Sequence, residues 1–144
     1  VQGARHVMFD TGDTILVSRR LEGEFLAWRN AIPTNSTVKV EGDKRALAAS
    51  IERVSLIISE KLKSPLRCKF SDGMVDITTK TAVGDALDSC VFKGDGKNLE
   101  IGFNHRYLMD ALKAAPADNI VMELNTPTSP CIITPAEEEK KDNP

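Results

Sequence analysis

Residues 99–112 run Leu99-Glu100-Ile101-Gly102-Phe103-Asn104-His105-Arg106-Tyr107-Leu108-Met109-Asp110-Ala111-Leu112. The first five residues read as a strand. Asn104 then supplies the side-chain oxygen that the first free N–H groups of a helix need. Tyr107, Leu108, Ala111 and Leu112 follow at helical spacing and are expected on the core side. Pro116 ends the helix, because it cannot donate to the ladder.

The same grammar extends outward. Upstream, Thr37-Val38-Lys39-Val40 reads as a short strand, and Asp43 is a good N-cap for a helix near 43–59. Leu47, Ile51, Val54 and Ile58 recur on one face of it, and Leu56 and Ile57 are surplus apolar residues beyond that stripe. Leu66, Cys68 and Phe70 alternate with Arg67 and Lys69, as in a half-buried strand. Ser71-Asp72-Gly73 is expected to turn a hairpin, with Val75-Asp76-Ile77-Thr78 pairing back. Residues 86–93 form another strand, and Gly94-Asp95-Gly96 is expected to turn the chain. Downstream, Ile120–Leu124 and Cys131–Ile133 are the last strands. Adjacent strands joined by tight turns imply an α+β class, with a mainly antiparallel sheet and two helices on one face.

Before Thr37 the pattern weakens. Residues 5–9 and 14–18 are β-prone runs around Asp10-Thr11-Gly12-Asp13, which reads as a hairpin. Residues 20–33 lack both periods and read as a connector with apolar anchors Leu21, Phe25, Trp28 and Ile32.

Composition narrows the function classes. The 144 residues allow one domain, or a domain plus a piece of another, and 41% hydrophobic with 28% charged residues is ordinary for a globular chain. A net charge of −2 does not mark a nucleic-acid binder, so any DNA contact must use a local patch. Cys68, Cys90 and Cys131 show no metal-ligand spacing and are expected to act as small hydrophobes in a reducing compartment. No apolar run approaches the roughly 18 residues of a membrane span. His6 and His105 are the only histidines, with no GxSxG or HExxH pattern around them. A Cys90–His105 pair is the one arrangement open to catalysis, and strand cysteines are mostly core. Neither cofactor nor metal is expected. The chain opens on Val1 and closes on Glu137-Glu138-Glu139-Lys140-Lys141-Asp142-Asn143-Pro144, and both ends read as cut.

Four collinear segments carry a family resemblance. Glu100–Leu112 is very similar to the "EIGFN…YLLDAL" signature of bacterial sliding clamps, the beta subunits of DNA polymerase III. Ser18-Arg19-Arg20-Leu21-Glu22-Gly23-Glu24-Phe25 resembles their "SRLIEGxFPDY" element. Ile58-Ser59-Glu60-Lys61 resembles "LSNEK", and Leu124–Ile133 resembles "LTDxxSPxxI". The family's protomer has three similar domains, and two protomers close a ring around duplex DNA. The resemblance implies that residues 1–31 are the closing hairpin and linker of the middle domain. Residues 32–134 are then the third domain without its last strand, and residues 135–144 a truncated charged linker.

It also implies roles. The family binds short linear peptides of the polymerase III catalytic subunit, the clamp loader and repair polymerases. Leu26, Trp28, Arg29, Asn30, Ala31, Leu62, Asn104, Tyr107, Thr128 and Pro130 match its pocket-lining positions. Leu26 replaces a usual Pro, Trp28 a usual Tyr, and Leu62 a Phe found in some members. Lys44, Arg45, Arg53, Arg106 and Lys113 are the basic residues on or beside the helices that would line a DNA bore, without reading sequence. Leu56 and Ile57 match the contact between the two protomers of the homodimer. The implied activity is a cytoplasmic processivity factor for DNA replication, without catalysis. The alternative is a peptide-binding or assembly module that shares the third-domain fold.

Overall fold

The structure is a computed structural model that describes residues 1–61 and 63–136. Of the expected linker, residues 135–144, all but Pro135 and Ala136 lie outside the described residues.

The chain opens with a hairpin of β1 (His6–Asp10) and β2 (Ile15–Arg19), paired antiparallel from His6 opposite Arg19 to Asp10 opposite Ile15. Asp10 Oδ1 accepts from the Gly12 N–H at 2.8 Å, and Gly12 takes a φ of 94°, which favours glycine. The connector is irregular apart from one 3-10 turn, Trp28–Ala31. Its apolar residues do not anchor it: Leu21, Phe25, Trp28 and Ile32 are all exposed. The expectation of buried anchors is corrected here, because nothing else in the described chain covers them.

A second sheet holds the core. Its elements are β3 (Val38–Asp43), α1 (Lys44–Ser55), β4 (Leu66–Thr81), β5 (Gly84–Phe103), α2 (His105–Ala114), β6 (Asn119–Leu124) and β7 (Ile132–Pro135). The strand order is β4-β5-β3-β6-β7, and every pairing is antiparallel. Alternate residues of β4, from Leu66 to Phe70, point into the core with Ile77, Phe92, Ile101, Met122 and Leu124. From α1 come Leu47, Ile51 and Val54, and from α2 Leu108 and Leu112.

Asp43 caps α1 by accepting from the Ala46 N–H at 2.7 Å. That helix stops at Ser55 and does not reach 59. Ser55 Oγ bonds back to the Ile51 carbonyl at 2.6 Å, and the Leu56 and Ile58 N–H groups reach only three residues back. Such tightening is how α-helices commonly end.

The two expected turns are bulges. β4 runs straight through Ser71-Asp72-Gly73 to Thr81, and Val75–Thr78 pairs with the first half of β5 rather than folding back on β4. The real hairpin turn lies at Thr81–Gly84, where Thr81 Oγ1 bonds the Gly84 carbonyl and Gly84 has a φ of 145°. β5 likewise continues through Gly94-Asp95-Gly96. Its register against β4 shifts between Phe70 and Asp72 and again between Asp72 and Met74. Gly94 at a φ of 114°, and Lys97 and Asn98 at 51° and 54°, house the extra residues on the β5 side. Turn-forming residue types marked an irregularity, and the long partner strand absorbed it.

Two glycines permit this packing. A Cβ on Gly96 would lie 2.4 Å from the Phe70 carbonyl carbon, and one on Gly42 would lie 2.5 Å from the Phe92 ring. Gly102 is different, since its nearest neighbour would be Pro65 at 3.8 Å. Gly96→Ala should therefore lower unfolding stability by about 2–3 kcal/mol, as overpacking against backbone does. Gly102→Ala should change it by no more than about 0.5 kcal/mol, as at ordinary surface sites. Urea denaturation of the two variants checks both values, and equal losses would contradict this packing.

Candidate functional site

A cleft of about 630 Å³ opens between the 58–65 loop and the start of α2. Ile58, Pro65 and Phe103 give it apolar wall, while Glu60, Lys63, Asn104, His105 and Arg106 give it polar rim. Asn104 is held by its own capping role, accepting from the N–H groups of Arg106 at 3.0 Å and Tyr107 at 3.3 Å. Arg106 reaches across to Glu60 Oε1 at 2.6 Å. That guanidinium, by hydrogen bond first and charge second, holds the Glu60 carboxyl below its ordinary range.

Of the predicted pocket residues, Asn104 alone lines this cleft among the described residues. Leu62 lies outside the described residues. Tyr107 is 76% exposed, so it is not on the core side of α2, and neither is exposed Ala111. The inward face of α2 is narrower than expected and consists of Leu108 and Leu112, with Met109 at its edge. Thr128 and Pro130 are exposed in the β6–β7 loop, where the Thr126 and Ser129 hydroxyls meet at 2.6 Å. Leu26, Arg29, Asn30 and Ala31 are exposed on the connector. The Arg29 guanidinium lies over the Trp28 ring, 4.6 Å from its centre.

The basic residues are mostly engaged. Arg53 grips Asp88 with Nε at 2.7 Å and a second nitrogen at 2.6 Å, and also donates to Ser50 Oγ. The Ser89 N–H, followed by Arg53, depresses the Asp88 carboxyl pKa. Arg45 pairs with Asp118 at 3.2 Å, and Lys44 Nζ donates to the Ala115 carbonyl at 2.7 Å. Lys113 is exposed and forms no ion pair among the described residues. Spacing along the chain carries no signal for Arg53–Asp88 or Arg106–Glu60, whose partners are 35 and 46 residues apart. Leu56 is 84% exposed at the end of α1, with Ile57 half-buried beside it.

The thiols are inert by environment. Burial pushes Cys90 up to about 11 and Cys131 to about 12, and raises Cys68 further, with the neighbouring thiols adding to it. A thiol held protonated is a poor nucleophile, so Cys90 lacks what a catalytic pair with His105 would require. No cluster of three or more metal-ligating side chains occurs among the described residues, and no helix there is long and apolar enough to cross a membrane.

These thiols set an alkaline limit. Unfolded cysteines ionise near about 8.5, so above that pH the folded chain holds more protons than the unfolded one. The stability they contribute is complete below that pH and is lost as pH rises toward the folded values. Each thiol should add up to about 1.4 kcal/mol of loss per pH unit. Unfolding stability followed from pH 8 to 10.5 should fall less steeply in Cys68→Ala than in the parent. Identical slopes would contradict the burial of Cys68.

Comparison with known proteins agrees with this architecture. Residues 29–143 match the family described as DNA polymerase III beta subunit, C-terminal domain. The beta sliding clamp of Synechocystis is 34% identical over 131 residues, covering 90% of this chain and 34% of the relative. The solved structure of the Pseudomonas aeruginosa DNA polymerase III subunit beta superposes with a TM-score of 0.85 at 26% identity, over 96% of this chain and 38% of that one. A sliding clamp from the same organism, bound to griselimycin, gives a TM-score of 0.83 at 26% identity, over 96% and 38%. The chain thus spans little more than a third of the proteins it matches. On a family match over residues 29–143, the chain belongs to the DNA polymerase III beta subunit, or beta sliding clamp, family.

Proposed function

We propose that the chain is a segment of a DNA-encircling processivity clamp that tethers polymerase and other partners and catalyses nothing itself. The match of residues 29–143 to the family's C-terminal domain carries this reading. Residues 1–31 serve as the closing hairpin and linker of a middle domain, and residues 32–134 as the third domain. The protein works in the cytoplasm.

A clamp must hold DNA without gripping it, and a ring does so by topology. The charge distribution supports that. The net charge is −2, and Lys44, Arg45, Arg53 and Arg106 are engaged by protein oxygens, which weakens their pull on phosphates. Lys113 is the freest of the five candidate DNA-facing cations.

Partners dock as short linear peptides on the connector and the third domain together. Leu26, Trp28, Arg29, Asn30 and Ala31 supply one side of the pocket. Leu62, Asn104, Tyr107, Thr128 and Pro130 supply the other. Exposed Trp28 and Tyr107 support this, because large aromatic side chains left open to water are favoured anchors for a ligand. The griselimycin-bound Pseudomonas clamp, similar in fold, supports a ligand site on this architecture. Leu56 and Ile57 form part of the contact that closes the homodimeric ring, supported by the open apolar surface of Leu56.

Two outcomes follow. Griselimycin should bind the 144-residue chain, and Tyr107→Ala or Trp28→Ala should weaken binding at least about tenfold, a loss of about 1.4 kcal/mol. Calorimetry measures this, and Leu56→Asp serves as a variant that should bind normally. Unchanged affinity in both aromatic variants would place the pocket elsewhere. Labelled duplex DNA should bind the same chain no tighter than about 10⁻⁶ M near physiological salt, with affinity falling as salt rises. Tighter or salt-insensitive binding would show that the fragment grips DNA directly.

A further inference from the structure

Two consecutive residues of the β5 bulge, Lys97 and Asn98, hold left-handed backbone at φ of 51° and 54°. That conformation is costly for a residue with a Cβ, and it persists only where the surroundings impose it. Here they do. The Lys97 N–H donates to Asp95 Oδ1 at 2.8 Å. Gly94 presses the bulge against β3, where a Cβ would lie 2.6 Å from the Lys39 carbonyl oxygen. From this fixed platform the Lys97 ammonium donates to the Thr37 carbonyl at 2.8 Å, across 60 residues of sequence. Thr37 is the last residue before β3, where the connector joins the domain. Its other polar groups are engaged as well. The Thr37 N–H donates to the Leu124 carbonyl at 3.0 Å, and its hydroxyl donates to the Asn125 carbonyl at 3.3 Å. Beside it, the Ser36 hydroxyl donates to Glu123 Oε2 at 2.9 Å. The connector that carries Trp28 is thus clasped to the root of the β6–β7 loop that carries Thr128 and Pro130.

We infer that Lys97 is a positioning residue, and that the strained bulge aims its ammonium at Thr37 to fix how the connector leaves the domain. Bulges commonly serve to re-aim a side chain in this way. Lys97 acts through Thr37 on the placement of Trp28, and it is not among the residues assigned to the pocket. Its effect on docking rests on the peptide-docking reading above. A connector already held in place has less freedom to lose when a ligand docks, so the clasp raises affinity by preorganisation.

The test compares the 144-residue chain with its Lys97→Gly and Lys97→Arg variants. Trp28 is the single tryptophan of the sequence, so its time-resolved fluorescence anisotropy reports on the connector directly. Thermal melting and calorimetry with griselimycin are the other two readouts. Lys97→Gly should melt no lower than the parent, because glycine suits the left-handed backbone. It should still give Trp28 a larger fast component of depolarisation, and weaken griselimycin by about threefold, the scale of one exposed charged contact. Lys97→Arg keeps a charged donor and should restore both to the parent's values. A role in stability alone would lower the melting temperature of Lys97→Gly and leave Trp28 unmoved, and that result overturns the inference. A looser Trp28 with unchanged griselimycin affinity also overturns it, since the clasp would then not serve docking. If griselimycin binds none of the three while Trp28 loosens in Lys97→Gly, the docking reading falls and the hold of Lys97 on the connector stands.

Discussion

Phe92 lies over Gly42, and Phe70 lies against Gly96. These two contacts let β5 cross from one partner to the next. Phe92 pairs with Gly42 of β3, while Phe70 of β4 sits opposite Leu99 farther along β5. A side chain on either glycine would drive β5 off its neighbours. With both absent, β5 bends at its bulges and stays hydrogen-bonded to β4 and to β3. One strand therefore joins the long β4–β5 hairpin to β3, β6 and β7, and the side chains beneath form a single core rather than two. A close-packed core of this kind transmits displacement, because no void takes up the slack.

The cleft depends on that core. β5 ends at Phe103, Asn104 caps the next helix, and Leu108 and Leu112 seat that helix beside α1. The 58–65 loop is tied at its far end, where the Thr79 hydroxyl donates to the Pro65 carbonyl at 3.2 Å. Both walls thus rest on buried residues, while the groups along the rim remain open to water. Rigid support beneath an exposed rim is what a docking surface requires. The ion pairs lie outside this frame. Arg53–Asp88 and Arg106–Glu60 are exposed, their carboxyls are depressed, and their contribution fades as pH falls through the carboxylate range.

Much of the fold was legible because its signals are local. Asp43 and Asn104 cap the helices as read, and the stripe Leu47, Ile51, Val54 is buried. The alternation at Leu66, Cys68 and Phe70 marked an inward strand face correctly. What misled was chemistry that serves two ends. Ser71-Asp72-Gly73 and Gly94-Asp95-Gly96 suit a turn or a bulge equally, and only the length of the partner strand decides between them. Tyr107 shows the same limit on a helix: one apolar residue beside a stripe can face the core or the solvent. The position of the candidate site came from family resemblance. Periodicity alone would have assigned Tyr107 to packing. The pairing of Arg53 with Asp88 and of Arg106 with Glu60 was not legible at all, since it is created by the fold.

Native-state hydrogen exchange tests the single fused core most directly. The amides of Cys68, Phe92, Ile101 and Met122 lie on four different strands or strand halves of the sheet. They should exchange together, at the free energy of global unfolding, while the β1–β2 hairpin exchanges far faster. If the β3, β6 and β7 amides were released at a clearly lower free energy than those of β4 and β5, the sheet would be two units joined in sequence. The claim that β5 welds them into one would then be wrong.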